Sequence, residues 1–113
     1  MLIVDDHAGF RAHARRLLEC EGYRVVGEAE DSAQAFDAAR QLAPDFALVD
    51  VYLPDEDGFA LTARLDALRD PPAVVLTSSR DGRELEPCLA ESAACGFVPK
   101  SELSRKAIEE VLP

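Results

Sequence analysis

The sequence has few cysteines, little positive charge and no long apolar run. Its 113 residues include three cysteines and no C-x-x-C pair, which fits neither a disulfide framework nor a zinc site and favours a reducing compartment. No apolar stretch approaches the roughly 18 residues that a membrane span requires. The N-terminal apolar run ends at Asp5 and Asp6 with no basic segment before it, unlike a signal peptide. These absences predict a cytoplasmic protein.

Acidic residues outnumber basic residues by 22 to 12, which gives a formal net charge of -10 at pH 7. Such a surface repels phosphate backbones and anionic lipids, so we expect the chain to bind no nucleic acid and no membrane. Cations and basic partner surfaces suit it better. Hydrophobic residues at 48% and charged residues at 30% are typical of a globular protein. We expect residues 1–113 to form one domain.

Short apolar runs alternate along the chain with amphipathic helical stretches. The predicted strands are residues 2–4, 23–26, 46–51, 73–76 and 96–98. The predicted helices are residues 8–21, a segment capped by Asp31 or Ser32 that ends near Pro44, a segment after Gly58, residues 84–94 with Pro87 in the first turn, and a last helix capped by Ser101. This alternation predicts an α/β domain with right-handed βαβ units and one parallel sheet covered on both faces. Such sheets bind ligands at the carboxyl ends of their strands.

Charged and hydroxyl residues follow the predicted strands: Asp5, Asp6, Asp50, Thr77 and Lys100. Carboxylates about 4 Å apart repel by about 4 kcal/mol per pair at an effective dielectric constant of 20. Either one of them takes up a proton or a hard cation binds, and Mg²⁺ suits a set of oxygen ligands. Lys100 and Thr77 suit a phosphoryl group. Asp50, at the end of the central strand, is placed as a nucleophile that forms an acyl phosphate.

Four motifs resemble the receiver domain of two-component response regulators: L-I-V-D-D, L-V-D-V-Y-L-P-D-E-D-G, V-V-L-T-S and G-F-V-P-K. The resemblance covers the whole chain, with the motifs in the family's order. It implies a flavodoxin-like (βα)5 fold with a five-stranded parallel sheet of order 2-1-3-4-5. It also implies a signalling domain that catalyses only its own phosphorylation and dephosphorylation, with Mg²⁺ as cofactor.

The resemblance also implies roles for individual residues of this chain. Asp50 matches the phosphoacceptor, Asp6 the direct Mg²⁺ ligand and Asp5 the second acidic residue, which usually acts through water. Tyr52 would add its backbone carbonyl as a metal ligand. Thr77 matches the hydroxyl that turns toward the phosphoryl group, Lys100 the lysine that pairs with it, and Phe97 the aromatic switch residue. Pro54 and Gly58 match the turn after the acceptor.

One departure from the commonest pattern bears on partners. Lys100 is followed by Ser101 and not by proline, and together with V-D-D-H this is similar to the subfamily with a helix-turn-helix DNA-binding output. The implied partners are a sensor histidine kinase and, at the face formed by helix 4, strand 5 and helix 5, an output domain, a partner protein or a second copy. The sequence fits both a single-domain regulator and a piece of a longer one.

The sequence leaves one other function open and disfavours two more. Ser78, Pro87 and Phe97 leave room for an interaction module that keeps the fold and works without phosphorylation. A flavin carrier is disfavoured because two aspartates after strand 1 would repel the flavin phosphate. An aspartyl phosphohydrolase is disfavoured because Tyr52 stands where a second carboxylate would be.

The remaining polar residues receive plainer interpretations. His7 and His13 are interpreted as surface or helix-capping residues in preference to metal ligands or catalysts, and His7 adjoins the acidic pair that it can influence. Residues 55–57 are interpreted as a solvated acidic turn. The three cysteines are interpreted as small buried hydrophobic residues.

Overall fold

The computed structural model describes residues 1–79 and 85–113, which form alternating strands and helices. The strands are β1 (Leu2–Val4), β2 (Gly27–Ala29), β3 (Phe46–Asp50), β4 (Ala73–Ser78) and β5 (Gly96–Pro99). The helices are α1 (Ala8–Cys20), α2 (Ser32–Leu42), α3 (Gly58–Asp66), α4 (Glu86–Glu91) and α5 (Arg105–Val111), with a 3-10 turn at Lys100–Glu102.

The strands form one parallel sheet in the order β2-β1-β3-β4-β5. The predicted fold class and strand order are therefore confirmed. After β2 the chain returns past β1 to form β3, so the order reverses between β1 and β3. This is the switch point at which open α/β sheets bind their ligands. Val4 pairs with Val49 there, and Asp50 pairs with Thr77 on the other side of β3.

The sheet is buried on both faces, as expected for a parallel sheet. All five residues of β3 are buried, with Ala47 and Val49 in one hydrophobic cluster and Phe46 and Leu48 in the other. The first cluster includes side chains of α2 and α3, and the second includes side chains of α1 and α5. Two layers of helices therefore fix β3, and its last residue Asp50, from both sides.

The second strand lies later in the chain than predicted. Residues 23–26 were the predicted strand, whereas β2 is Gly27–Ala29, because the ladder pairs Leu2 with Gly27. The apolar residues before β2 lie outside the assigned strand, although Val26 N donates to the Met1 carbonyl oxygen at 2.9 Å. Val25 is buried, and the Tyr23 ring lies edge-on to Phe46 with centroids 5.2 Å apart. The apolar residues 23–26 therefore indicate packing against the core, and the strand begins after them.

The helix caps were partly predicted. Asp31 caps α2, where its side chain accepts a hydrogen bond from Gln34 N at 2.8 Å. The prediction for Ser101 was wrong, because this residue lies within the 3-10 turn that follows β5. Ser104 caps α5 instead and accepts from Ala107 N at 3.0 Å.

The fourth helix is shorter than predicted. It spans Glu86–Glu91, with Pro87 in its first turn as expected, and the predicted start at residue 84 lies outside the described residues. The interpretation of the cysteines as buried was wrong, because Cys20, Cys88 and Cys95 are all exposed. Cys20 and Cys88 lie on the outer sides of α1 and α4, and Cys95 precedes β5. Among the described residues no helix has the length and apolar character needed to cross a membrane.

Candidate functional site

The carboxyl ends of β1 and β3 bring three predicted carboxylates together with one further residue. Asp5 is fully buried, Asp50 is 4% exposed and Asp6 is exposed. One ligand atom from each of Asp5, Asp6, His7 and Asp50 lies within 4.8 Å of all the others. The sequence placed the aspartates here from the strand ends. His7 joins them because it directly follows Asp6 at the start of α1.

Lys100 links the two buried carboxylates. Its Nζ lies 2.6 Å from Oδ2 of Asp5 and 3.5 Å from Oδ2 of Asp50. The ammonium also lies 4.2 Å from the ring centroid of Phe10, in the first turn of α1, where the face of the ring attracts a cation. Sequence reasoning placed Phe10 only on the apolar side of the helix. Its position one turn after the acidic pair was the signal that could have assigned it to the site.

The electrostatics of Asp50 follow from its burial. Removal from water raises the pKa of Asp50 above its ordinary value, and the nearby Asp5 carboxylate raises it further. The Lys100 ammonium and the backbone N–H of Tyr52, which donates to Oδ1 of Asp50 at 3.2 Å, act in the opposite direction. The net shift is upward, so the ammonium and the backbone N–H together do not offset the effects of burial and of the Asp5 carboxylate. A bound cation would counter this shift.

The donor atoms fit a hard divalent cation. The three carboxylates supply oxygen ligands, which Mg²⁺ prefers, and they come from two adjacent strand ends that the core fixes. Tyr52 follows Asp50 by two residues, and its side chain is 42% exposed. The role of its carbonyl oxygen as a metal ligand stays a prediction.

Thr77 is adjacent to Asp50 in the sheet, but its hydroxyl is engaged elsewhere. The residue is 1% exposed, and its Oγ1 donates to the Val98 carbonyl oxygen of β5 at 2.7 Å. Phe97 is half-buried and packs against the hydrophobic cluster on the α2 and α3 side of the sheet. The switch roles of Thr77 and Phe97 stay predictions, although both residues lie on the strands that the resemblance requires.

The carboxylates of the loop after β3 accept hydrogen bonds from the neighbouring helices. Asp55 accepts from Ser32 N at 3.0 Å and from Ala33 N at 3.2 Å, and these amides begin α2. Glu56 accepts from the Ser32 hydroxyl and from Arg64 Nη1, the latter at 2.5 Å. The backbone hydrogen bond from Ser32 is the main reason that the pKa of Asp55 lies below its ordinary value. Asp55 and Asp57 are exposed, as the interpretation of a solvated acidic turn expects, and Asp55 and Glu56 in addition accept hydrogen bonds from other elements.

The same loop ends in a close contact with β3. Asp57 caps α3 by accepting from Ala60 N at 2.8 Å. A Cβ atom on Gly58 would lie 2.6 Å from the Asp50 carbonyl oxygen and 3.0 Å from Val51 Cα, both backbone atoms. Only glycine allows α3 to begin this close to the end of β3. The residue thereby fixes the loop against the site.

His7 is exposed but lies in contact with the acidic pair. Its Nδ1 is 3.0 Å from Oδ1 of Asp6 and 3.3 Å from Oδ1 of Asp5, and its backbone N–H donates to the latter oxygen at 2.9 Å. It occupies the N-cap position of α1 without a side-chain capping hydrogen bond. His13 is exposed on α1. The interpretation of both as surface residues is consistent with this placement.

The family model of the response regulator receiver domain matches residues 1–112 of the chain. Among curated proteins, BvgA of Bordetella pertussis, described as a positive transcription regulator of virulence factors, is 38% identical over 103 residues. The match covers 90% of this chain and 49% of BvgA. The chain therefore spans about half the length of this relative.

Solved structures agree with the architecture. The signal receiver domain of NarL from Mycobacterium tuberculosis, described as a response regulator, superposes with a TM-score of 0.86 at 32% identity, covering 97% of this chain and 90% of that chain. A two-component response regulator of the LuxR family from Aurantimonas sp. SI85-9A1 gives a TM-score of 0.82 at 32% identity, covering 88% and 72%.

Proposed function

The chain belongs to the response regulator receiver domain family, and we propose that Asp50 is the residue that accepts its phosphoryl group. The observation that carries this assignment is the position of the Asp50 carboxylate. It is buried at the end of the central strand and lies 3.5 Å from the Lys100 ammonium. No comparable surroundings exist for the loop carboxylates Asp55 and Asp57, which accept backbone hydrogen bonds.

The proposed transfer makes Asp50 the nucleophile. One of its carboxylate oxygens forms a bond to phosphorus as the bond between phosphorus and the histidine nitrogen of the kinase breaks, and the nitrogen keeps that electron pair. Lys100 offsets negative charge on the phosphoryl oxygens, since its Nζ already lies between Asp5 and Asp50. Catalysis then consists mainly of positioning and electrostatic stabilisation. Hydrolysis of the aspartyl phosphate by water would return the site to its starting state.

Asp5, Asp6, Asp50 and the carbonyl of Tyr52 are the residues proposed to hold Mg²⁺. When bound, the ion supplies positive charge to the phosphoryl oxygens. The oxygen donors and the raised pKa of Asp50 support this assignment. In its absence, Lys100 is the cation that offsets the charge of Asp5.

Phosphorylation is proposed to act on β4 and β5. The added dianion attracts the Thr77 hydroxyl and the Lys100 ammonium. Thr77 is joined to Val98 through its hydroxyl, and Phe97 lies next to Val98. A shift of Thr77 therefore reaches the face formed by α4, β5 and α5, where we place the binding of an output domain, a partner protein or a second copy.

The remaining assignments rest on the family. A sensor histidine kinase is the proposed phosphodonor, and the cytoplasm is the proposed location. We propose that residues 1–113 are one receiver domain. Since the chain spans about half of the transcription regulators it matches, a DNA-binding output in the whole protein is part of the proposal.

The test is intact mass measured before and after incubation with acetyl phosphate and Mg²⁺, with EDTA as the metal control. We expect the wild-type chain to gain one phosphoryl group only when Mg²⁺ is present. Asp50→Asn should gain none, whereas Asp55→Asn, a carboxylate of the loop after β3, should still gain one. Stoichiometric labelling of Asp50→Asn would contradict the acceptor assignment. A folded wild-type chain that gains nothing would favour an interaction module that works without phosphorylation.

A further inference from the structure

The Lys100 ammonium lies against an aromatic ring as well as two carboxylates. Its Nζ is 4.2 Å from the ring centroid of Phe10, 2.6 Å from Oδ2 of Asp5 and 3.5 Å from Oδ2 of Asp50. The face of a phenylalanine ring attracts a cation that lies within about 6 Å of its centroid. The lysine side chain is only 15% exposed, and removal from water strengthens this attraction. The ring is therefore an uncharged partner of the ammonium.

The hydrophobic core fixes the ring of Phe10. This residue lies four positions before Ala14, so the two side chains lie on the same side of α1, where Ala14 is fully buried. The ring is half-buried and packs against the cluster that contains Leu103, the residue directly after the 3-10 turn that Lys100 begins. One hydrophobic cluster therefore holds both the ring and the backbone next to the lysine.

An uncharged partner restricts Lys100 without neutralising it. The Nζ atom lies closer to Asp5 than to Asp50, although the proposed phosphoryl group forms on Asp50. A lysine side chain has many rotamers, and holding it in one of them costs conformational entropy. A ring face lowers the number of positions open to the ammonium but leaves its charge available for a phosphoryl oxygen.

We propose that Phe10 is a positioning residue for Lys100. Its ring face holds the ammonium beside Asp5 and Asp50, and thereby sets the rate at which Asp50 accepts a phosphoryl group. The proposal deepens the proposed function and rests on it. An aliphatic side chain at position 10 would fill part of the same core space without attracting the ammonium, so the aromatic face and not the volume is the feature that the reaction requires.

Substitutions at position 10 separate the aromatic face from the volume. The measurement is the rate of mass gain from acetyl phosphate at saturating Mg²⁺. Phe10→Leu should slow this rate by about threefold to thirtyfold, which corresponds to the strength of cation–π contacts from exposed to desolvated sites. Phe10→Tyr keeps an aromatic face and should react at nearly the wild-type rate.

Fluorinated phenylalanines give a graded test at almost constant volume. Each added fluorine withdraws electron density from the ring face, so mono-, di- and trifluorophenylalanine at position 10 should lower the rate stepwise. The same series at position 36 is the matched control. The Phe36 ring also lies against a cation, Arg64 at 4.7 Å, but it packs against the other hydrophobic cluster. Fluorination there should leave the rate unchanged.

The contact between Phe10 and Lys100 is measurable without any phosphodonor. Protons that lie over the face of an aromatic ring resonate upfield of their ordinary positions. The Cε protons of Lys100 should therefore be shifted upfield in the wild-type chain and in Phe10→Tyr, and should return to ordinary values in Phe10→Leu. Thermal unfolding shows whether each variant is folded, and if Phe10→Leu does not fold, the fluorinated series decides the question.

Three results would overturn the proposal. They are a wild-type rate in folded Phe10→Leu, wild-type rates throughout the fluorinated series, and Lys100 resonances that do not respond to removal of the ring. The second result would assign Phe10 to core packing alone. A wild-type chain that gains no phosphoryl group contradicts the proposed function instead, and the Lys100 resonances then still decide whether Phe10 holds the ammonium.

Discussion

Two acidic loops follow strands of the same sheet, and they differ in what surrounds their carboxylates. Asp5 follows β1, and together with Asp50 at the end of β3 it forms a buried pair whose ion-pair partner is Lys100. Asp55 and Asp57 lie in the loop after β3, where backbone amides of α2 and α3 donate to them. In the first arrangement two carboxylates lie close to each other. In the second, the carboxylates accept hydrogen bonds from backbone amides.

The difference appears in the direction of the pKa shifts. Burial and the neighbouring Asp5 raise the pKa of Asp50, whereas hydrogen bonds from backbone amides lower the pKa of Asp55. A carboxylate with a lowered pKa stabilises the fold in its ionised form, and one with a raised pKa destabilises the fold when ionised. The ionised Asp55 carboxylate therefore stabilises the fold, whereas the ionised Asp50 carboxylate destabilises it and is available for chemistry.

The largest expected effect comes from removing the cation of the buried pair. Lys100→Met leaves Asp5 and Asp50 facing each other without a counter-charge, and we expect the free energy of unfolding at neutral pH to fall by about 3 kcal/mol. Urea denaturation measures the change. Lys106→Met, an exposed lysine of α5, is the control and should change stability by less than about 0.5 kcal/mol. Equal stability of the two variants would contradict this prediction, because it would show that Lys100 does not offset the charge of the buried carboxylates.

A smaller loss is expected in the second loop. Asp55→Ala removes the acceptor of two backbone amides at the start of α2, so unfolding should become easier by about 1 kcal/mol, as for the loss of a helix cap. The folded pKa of Asp55 is lowered, so its contribution is present above the unfolded pKa and disappears as the pH falls through the lowered folded pKa. Thermal unfolding at several pH values measures both features. Asp37→Ala, on the exposed side of α2, should show no such loss.

A third effect, similar in size to that of Asp55→Ala, has the opposite sign. Asp50→Asn removes an ionised group that the fold disfavours, and we expect a gain of about 1 kcal/mol, which corresponds to about 4–8 °C in Tm for a domain of this size. Because the folded pKa of Asp50 is raised, the gain should be full at neutral pH and should shrink as the pH falls through that value, where the wild-type carboxyl takes up a proton. If Asp50→Asn were less stable than the wild type, the Asp50 carboxylate would stabilise the fold as Asp55 does, and the contrast between the two carboxylates would be lost.

The fold was predictable because the same strand-and-helix pattern repeats five times along the chain. The alternation of apolar runs and amphipathic helices set the sheet, and the buried β3 matched its run almost to the residue. The second strand was misplaced because Gly27 and Glu28 carry no strand signal of their own and pair through the position of Leu2. Ser101 was misassigned because nothing in the sequence separates a 3-10 turn from the first turn of a helix.

The site was predictable to the extent that strand ends determine it. Asp5, Asp50 and Lys100 meet because parallel strands end at one edge. The partners of Asp55 were not predictable, since they begin an element more than twenty positions earlier in the chain. The position of Phe10 one turn after the acidic pair was the one sequence signal for its contact with the Lys100 ammonium.

The hydrogen bond between Thr77 and Val98 sets how readily the site can change its arrangement. Turning the Thr77 hydroxyl away from β5 gives up one buried bond of 2.7 Å, and leaving a buried donor or acceptor without its partner costs about 1–3 kcal/mol. That cost corresponds to a ratio between the two rotamers of about 5 to about 160 at room temperature. If nothing else opposed the rotation, a measurable minority of molecules would already have the hydroxyl released, and a ligand at Asp50 would only need to enlarge that minority.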